Sequence, residues 1–225
     1  MMVFDLHVHT RPGSGDSNIE YRDLVAWARK AGLDGLCLTE HGMEKTGVAE
    51  QLSREYDFVV LEGLETGTEY GDILVFGVDS IPRTCYRAAD LCRFVAESGG
   101  VTFAAHPFRA EISRPLMMRS TPRLTLEEAL ARPLFKMVDG VEAANGWSAA
   151  EDVAFCLELC RRLGLKTIGA SDAHMPRQIG SCVTVFTNGV RSEADLVREL
   201  KLGNCAAQDR RTPEQKVPTF WFSSH

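Results

Sequence analysis

The alternation of apolar and amphipathic segments along the 225-residue chain predicts its secondary structure. Short apolar runs alternate with segments of helical period from end to end, a pattern typical of β/α units around a mostly parallel sheet. Strands are predicted at Met2–Leu6, Gly35–Leu38, Phe58–Glu62, Asp72–Val78, Val101–Ala105, Gly140–Ala143, Lys166–Ala170 and Cys182–Phe186. Helices are predicted at Tyr21–Ala31, Gly47–Arg54, Tyr86–Ser98, Leu126–Ala131, Ala149–Leu163 and Ser192–Leu200.

Two segments depart from this alternation. One is Ala110–Thr125, which contains two prolines, and the other is the stretch from Asp209 to His225, which has no clear periodicity. Single α/β barrels often have about this length. We therefore expect one domain over residues 1–208 and a tail over residues 209–225 that packs on the barrel or at an interface.

Charge and composition exclude several classes of partner. The chain has 25 Lys and Arg against 31 Asp and Glu, a net charge of −6, and no Lys/Arg-rich run. Such a surface argues against binding a long nucleic acid, whereas a small anionic substrate is compatible with it. No apolar stretch has the roughly 18 residues of a membrane span, and the N-terminus lacks the pattern of a signal peptide. We expect a cytoplasmic protein that does not contact a membrane.

The seven cysteines fit this expectation. None forms a C-x-x-C pair, and most have apolar neighbours. They are predicted to be reduced and buried, without disulfides or a thiolate zinc cluster.

Five of the six histidines follow the ends of predicted strands, and in parallel α/β folds this edge of the sheet carries the active site. His7 and His9 are two residues apart on a strand, so their side chains point to the same side. Asp172 and His174 repeat this spacing, and His41 and His106 each add an imidazole. Imidazoles with carboxylates suit zinc, manganese or iron, and the lack of nearby thiolates favours a catalytic site over a structural one.

Carboxylates complete the candidate site. Glu65, in Glu62-Gly63-Leu64-Glu65, is predicted to end a strand and is the best candidate to bridge two ions. Asp16 lies in a glycine-rich loop after the first strand, with capping of the next helix as its alternative role.

Together these motifs resemble the PHP superfamily, named after polymerase and histidinol phosphatase. Asp5-Leu6-His7-Val8-His9-Thr10 is followed by Thr39-Glu40-His41, Gly63-x-Glu65, His106-Pro107 and Ser171-Asp172-Ala173-His174, in the order of the family. The resemblance implies a single-domain, distorted TIM-like (β/α)7 barrel that holds two to three divalent ions, zinc, manganese or iron. It also implies three ligand sets: His7, His9, Glu65 and Asp172; Glu65 and His106; Asp16, His41 and His174.

The chain departs from the family at one ligand position. The family often has a further histidine, but Asp72 and Asn145 stand near the two places where it occurs. Asp72 is a candidate metal ligand, and its alternative role is to cap the end of a strand. For Asn145 a turn role in Asn145-Gly146 is favoured.

Three arginines near the motifs, Arg109, Arg177 and Arg11, are candidates to bind a phosphate group, because guanidinium matches phosphate oxygens. The chain is therefore predicted to be a metal-dependent phosphoric ester hydrolase. The specific prediction is a phosphomonoesterase that uses metal-activated hydroxide on a small phosphorylated metabolite or nucleotide. His106 or Asp172 would assist proton transfer to the leaving group.

Two alternatives stay open: an amidohydrolase-type enzyme that cleaves C–N bonds, and a non-catalytic metal-binding PHP module. The exact substrate, the metal and the oligomeric state are open as well.

Overall fold

A computed structural model describes residues 1–109, 111–113 and 123–216. This part of the chain forms nine strands: β1 Met2–Val8, β2 Gly35–His41, β3 Val59–Thr68, β4 Gly71–Phe76, β5 Val101–Ala104, β6 Gly140–Asn145, β7 Lys166–Ala170, β8 Cys182–Phe186 and β9 Cys205–Asp209. It also forms six α-helices: α1 Tyr21–Lys30, α2 Ala49–Tyr56, α3 Ala88–Glu97, α4 Leu126–Leu130, α5 Ala150–Leu163 and α6 Glu193–Leu202.

The strands form one sheet in the order β7-β6-β5-β4-β3-β2-β1-β8-β9. The pairs β1–β2, β2–β3, β5–β6 and β6–β7 are parallel. The pairs β3–β4, β4–β5, β1–β8 and β8–β9 are antiparallel. The α/β fold is confirmed, but the prediction of a mostly parallel sheet is wrong, because four of the eight strand pairs are antiparallel. β3 turns directly into β4, and the connections through α3 and α6 return the chain in the reverse direction instead of crossing over to a parallel strand.

The sheet curls into a nearly closed barrel. At its mouth the residues after β7 meet β1, where the His9 amide donates to the Ala173 carbonyl at 3.0 Å. Farther down, the Thr184 hydroxyl of β8 donates to the Gly169 carbonyl of β7 at 2.8 Å. The TIM-like barrel expected from the sequence is thereby confirmed, although the sheet has nine strands rather than the seven of a (β/α)7 barrel.

A buried carboxylate fastens this closure. Asp5 accepts hydrogen bonds from the backbone amides of Ser171, at 2.9 Å, and Gly180, at 2.8 Å. Burial raises the pKa of Asp5 to about 6, although these hydrogen bonds act in the opposite direction. Asp5 therefore ties the first strand to both ends of the β7–β8 connection, which carries Asp172 and His174.

Apolar side chains fill both faces of the sheet. Inside the barrel, Phe4 packs edge-on against Phe186, and Phe76 packs against Phe103. On the outside, one buried cluster lies under α3 and α5 and another under α1 and α2. The polar residues that interrupt the interior packing lie at the mouth, where the candidate site is.

The sequence pattern did not predict the hairpin after Glu65 or the ninth strand. Glu65 does not end a strand, because β3 continues to Thr68 and turns directly into β4 through a hairpin whose Gly71 has a φ of 103°. The residues after Asn204 form β9, an additional edge strand next to β8.

The tail is described as far as residue 216, and residues 217–225 lie outside the described residues. Most of the proline-containing segment Ala110–Thr125 also lies outside the described residues. Within the described ranges, every helix is too short or too polar to cross a membrane.

Candidate metal centre

A β-bulge in β1 points the two histidines of the first motif into the barrel. The pairing with β2 shifts from Asp5–Leu36 to Val8–Leu38, which inserts one extra residue and changes the face that follows. Leu6 packs in the interior before this shift, and His7 and His9 are fully buried after it. The Nε2 atoms of the two histidines lie only 3.0 Å apart.

Glu65 stands at the centre of the imidazoles. Its Oε2 lies 3.0 Å from His41 Nδ1, 3.2 Å from His9 Nε2 and 3.3 Å from His7 Nε2. Its Oε1 lies 3.1 Å from His106 Nε2. Although buried, Oε2 has no partner at hydrogen-bonding geometry among the described residues. A buried oxygen surrounded by ring nitrogens but without a hydrogen bond is what a cation-binding position leaves in a protein structure.

Asp172 and His106 reach this centre from unusual backbone conformations. Their φ angles are 54° and 29°, in the left-handed region that residues other than glycine rarely occupy. Asp172 Oδ1 lies 3.4 Å from His9 Nε2 and 3.5 Å from His7 Nε2. Such conformations cost about 1–3 kcal/mol each and concentrate at functional sites.

The outer side of the site is open to solvent. Asp16 Oδ2 lies 3.2 Å from both His41 Nε2 and His174 Nε2. The side chains of His41 and Asp16 are 48% and 56% exposed. The candidate centre thus extends from the fully buried side chain of His7 to the solvent-exposed side chain of Asp16.

Three overlapping groups of donor atoms could each hold a divalent ion. Within each group the donors lie within 4.8 Å of one another: His7, His9 and Asp172; His7, Glu65 and His106; His9, His41 and His174. Imidazole nitrogens and carboxylate oxygens without thiolates are the donors preferred by catalytic zinc, manganese and non-haem iron. The donor set therefore fits the ions expected from the sequence, and Asp16 adds its carboxylate to the third group.

Hydrogen bonds behind the histidines select their tautomers. His7 Nδ1 faces Glu142 Oε1 at 3.0 Å, and His174 Nδ1 faces the Asp172 carbonyl oxygen at 3.0 Å. Both partners only accept, so these Nδ1 atoms carry hydrogen. A neutral ring then presents a bare Nε2 to the centre.

His9 obtains the same orientation through a relay. The Ser14 hydroxyl donates to Glu40 Oε2 at 2.6 Å, which leaves its oxygen to accept from His9 Nδ1 at 3.2 Å. Gly13 makes this relay possible, because a Cβ there would lie 2.3 Å from the Glu40 side chain. Outer partners of this kind orient metal ligands and raise their basicity.

Glu142, Ser14 and Glu40 were not among the candidate site residues. Glu142 also accepts the His106 backbone amide at 2.8 Å, so it joins two histidines from different strands. The available signal was a single carboxylate inside the otherwise apolar Gly140–Ala143 strand. A buried charge is costly unless it is bonded, and this signal pointed to a role at the site.

Charges at the centre control its protonation in the metal-free chain. Burial lowers the pKa of His7, but the negative charges of Glu65, Asp172 and Glu142 outweigh burial and raise it well above its usual value. The negatively charged Glu65 carboxylate beside its ring raises the pKa of His41 to about 9. Burial raises the pKa of Glu65, yet the positive charge of His7, the hydrogen bond from His106 and the other nearby imidazoles hold it far below its usual range.

These shifts predict the pH dependence of metal uptake. At pH 7 the metal-free site holds protons on His7 and His41 that a metal must displace, so binding should release protons and weaken as the pH falls from about 9. Calorimetric titration with Zn²⁺ at pH 7 in buffers of different ionisation enthalpy measures this release. Identical heats in all buffers would contradict the prediction.

Asp72 lies on the same face of the hairpin as Glu65, two residues nearer the mouth. It pairs with Gly67, and its Oδ1 would lie 3.4 Å from a Cβ there. Among the described residues its carboxylate belongs to none of the three donor groups. Asn145 is buried and has the turn role favoured for it, because its side-chain oxygen accepts the Trp147 amide. Its side-chain NH2 group points toward carboxylates, at 3.1 Å from Glu142 Oε2 and 3.5 Å from Asp172 Oδ2.

The three candidate arginines have different surroundings. Arg109 forms an ion pair with Asp172 Oδ2 and is 38% exposed, so it stands at the edge of the centre. Arg177 is exposed in the turn after His174. Arg11 is 68% exposed and pairs with Glu20 at 3.1 Å.

Comparison with known proteins identifies the family of this chain. A model of the PHP domain matches residues 5–98, and a model described as PHP-associated matches residues 156–205. An uncharacterized protein of Methanocaldococcus jannaschii is 30% identical over 158 residues, which cover 65% of this chain and 83% of that protein. The chain belongs to the PHP family. A protein of Caldicellulosiruptor bescii described as a probable phosphatase is 24% identical over 199 residues, 79% of this chain and 82% of that protein.

Solved structures share the PHP barrel at low identity. One is a two-domain protein from Bacteroides vulgatus that contains a predicted PHP-like metal-dependent phosphoesterase, with a TM-score of 0.65 and 20% identity over 92% of this chain and 64% of that one. Another is an amidohydrolase from Chromobacterium violaceum with bound sulfate and no metal, with a TM-score of 0.62 and 17% identity over 94% and 99% of the two chains. At these identities the likeness concerns the fold alone.

Proposed function

We propose that this PHP protein is a metal-dependent phosphomonoesterase that acts on a small phosphorylated metabolite or nucleotide. The observation that carries the proposal is the position of Glu65 Oε2, which is buried among the imidazoles of His7, His9 and His41 and receives no hydrogen bond from the described part of the chain. Family membership and the probable phosphatase of C. bescii support the same reaction class.

The proposed ligands are His7, His9, Glu65 and Asp172 for one ion, Glu65 and His106 for a second, and Asp16, His41 and His174 for a third. When bound, divalent ions supply Lewis-acid stabilisation of phosphate oxygens and lower the pKa of a water molecule. Two to three ions, zinc, manganese or iron, are proposed. Asp72 is proposed as an additional oxygen donor for the second ion, because it shares the inner face with Glu65.

The chain's own residues would orient the substrate. Arg109 pairs with a carboxylate at the edge of the centre, and this supports our proposal that its guanidinium binds phosphate oxygens when substrate is present. Asp172 Oδ2 also lies 3.7 Å from His106 Nε2. A leaving group held beside Arg109 would therefore face both residues that we propose for proton transfer, Asp172 and His106.

A screen of phosphate release tests the proposal. After loading with Mn²⁺, Zn²⁺ or Fe²⁺, the protein should hydrolyse p-nitrophenyl phosphate, sugar phosphates or mononucleotides faster than phosphodiesters. Degradation of single-stranded DNA in preference to mononucleotides would contradict the proposed substrate class, since the acidic chain lacks a basic track for a polynucleotide.

A second candidate is hydrolysis of C–N bonds, favoured by the similarity to the amidohydrolase of C. violaceum. Hydrolysis of amide substrates without release of phosphate from any monoester would select it. Metal binding without turnover of either class would instead indicate a non-catalytic module.

Replacement of Arg109 by Ala should raise KM for a phosphomonoester by roughly 10-fold, because a charge-assisted contact of about 1.5–3 kcal/mol is lost. Arg177→Ala is predicted to act in the same direction. Initial-rate kinetics measure both effects, with Arg22→Ala, an exposed arginine on α1, as the control. Unchanged KM in both variants would show that the phosphate group binds elsewhere.

A further inference from the structure

The last described strand leads a buried arginine to the mouth of the barrel. β9 runs antiparallel to β8, and Asp209 at its end pairs with Cys182. Arg211 follows two residues later, with its side chain only 3% exposed. It forms two hydrogen bonds to the Asp209 carboxylate, from Nε at 3.0 Å and from its NH2 group at 2.8 Å. Arg211 lies beyond both family-model matches, which end at residues 98 and 205.

The remaining guanidinium nitrogen of Arg211 holds the loop between β6 and α5. Its NH1 group donates to the carbonyl oxygens of Gly146 at 2.9 Å and Ser148 at 2.6 Å. These carbonyls flank Trp147, so the arginine fixes the backbone on both sides of the indole. The rigid, planar guanidinium can do this while it stays paired with Asp209.

Trp147 in turn holds the backbone of Asp172. Its indole Nε1 donates to the Asp172 carbonyl oxygen at 2.7 Å. Asp172 has the left-handed φ of 54°, a conformation that persists only when its surroundings enforce it. The same carbonyl accepts from His174 Nδ1, so a shift of this peptide would move two candidate metal ligands.

We propose that Arg211 is a positioning residue of the metal centre, which acts through the Gly146–Ser148 loop and Trp147 to hold Asp172 and His174 in their ligand geometry. The C-terminal strand is then part of the metal site and not only an added edge of the sheet. This inference requires the metal centre but does not depend on which bond the protein hydrolyses.

The test is the Mn²⁺ affinity of the full chain, measured from the electron paramagnetic resonance signal of free Mn²⁺. Arg211→Met and Trp147→Phe should each weaken binding by roughly 10–100-fold, the usual effect of removing an outer partner of a metal ligand. The double variant should bind Mn²⁺ about as tightly as the single variant with the lower affinity, because both residues act through the same series of contacts. Arg211→Lys should bind with intermediate affinity, since an ammonium group can donate to the carbonyls but cannot keep the two-bond pair with Asp209.

Lys45→Met is the matched control for lost stability. Lys45 is also a nearly buried base with two acidic partners, but these partners follow β4 (Asp79) and begin α6 (Glu193) and are not among the candidate ligands. The Lys45→Met substitution should lower the unfolding temperature of the protein without changing its Mn²⁺ affinity. If Arg211→Met does not fold, the same cycle is run with Arg211→Lys.

Wild-type affinity in the Arg211 variants, or losses that simply add in the double variant, would overturn the proposal. An equal loss of affinity in Lys45→Met would overturn it too, because general destabilisation would then explain the effect. A chain that binds Mn²⁺ as predicted, yet hydrolyses no phosphomonoester, would contradict the proposed function while it supports the role of Arg211.

Discussion

Replacement of Asp172 by Asn is expected to reduce phosphomonoesterase activity by roughly 10³-fold or more while the barrel stays folded. Asp172 is the carboxylate that faces His7 and His9 on one side and Arg109 on the other. An amide of the same shape removes its negative charge and weakens metal binding. Lewis-acid stabilisation is worth several kcal/mol, and each 1.36 kcal/mol changes a rate about tenfold.

The matched control is Asp139→Asn. Asp139 accepts hydrogen bonds from the Thr102 amide and hydroxyl at the opposite end of the barrel, so it tests the loss of a structural carboxylate alone. Steady-state kinetics and thermal unfolding are compared for both variants. If the Asp172→Asn variant kept activity within tenfold of wild type, Asp172 would not be required for the reaction.

Replacement of Glu142 by Gln should weaken metal binding by roughly 10–100-fold, with a matching loss of activity at limiting metal. Glu142 accepts from His7 Nδ1, the His106 amide and the Asn145 side chain. Glutamine has one acceptor oxygen instead of two, so at least one of these buried donors loses a good partner.

Glu62→Gln controls for the loss of a buried glutamate. Glu62 also accepts several hydrogen bonds, including those from the Thr46 and Gly47 amides, but it points away from the barrel interior. Metal titration should distinguish the two variants at equal stability. If Glu62→Gln weakens metal binding as strongly as Glu142→Gln, the orientation of His7 by Glu142 is not the cause.

The sequence predicted the strands and the convergence of the motif residues because both follow from local patterns. Apolar runs locate most of the strands, and spacings of two residues place His7 with His9 and Asp172 with His174 on common sides. The local pattern did not predict the antiparallel hairpin after Glu65, because Thr66–Asp72 contains two glycines, which are typical of a loop. Its pairing with β4 is decided by tertiary contacts across the sheet.

The outer partners of the histidines could not be assigned from the sequence for a different reason. Glu142 meets His7 across 135 residues of chain, and Arg211 meets Gly146 across 65. Such contacts depend on the register of β6 with β7 and on closure of the barrel, neither of which a local pattern contains. The bulges in β1 and β6 add a further shift of register beside the ligands.

The most direct measurement of the central claim is phosphate release by one preparation before chelation, after chelation and after reloading. We predict that the chelated protein is folded but inactive toward phosphomonoesters, and that activity returns with two to three equivalents of Mn²⁺ or Zn²⁺. Full turnover by the metal-free protein, or reloaded protein that binds metal at His7, His9 and Asp172 without releasing phosphate from any monoester, would contradict the account.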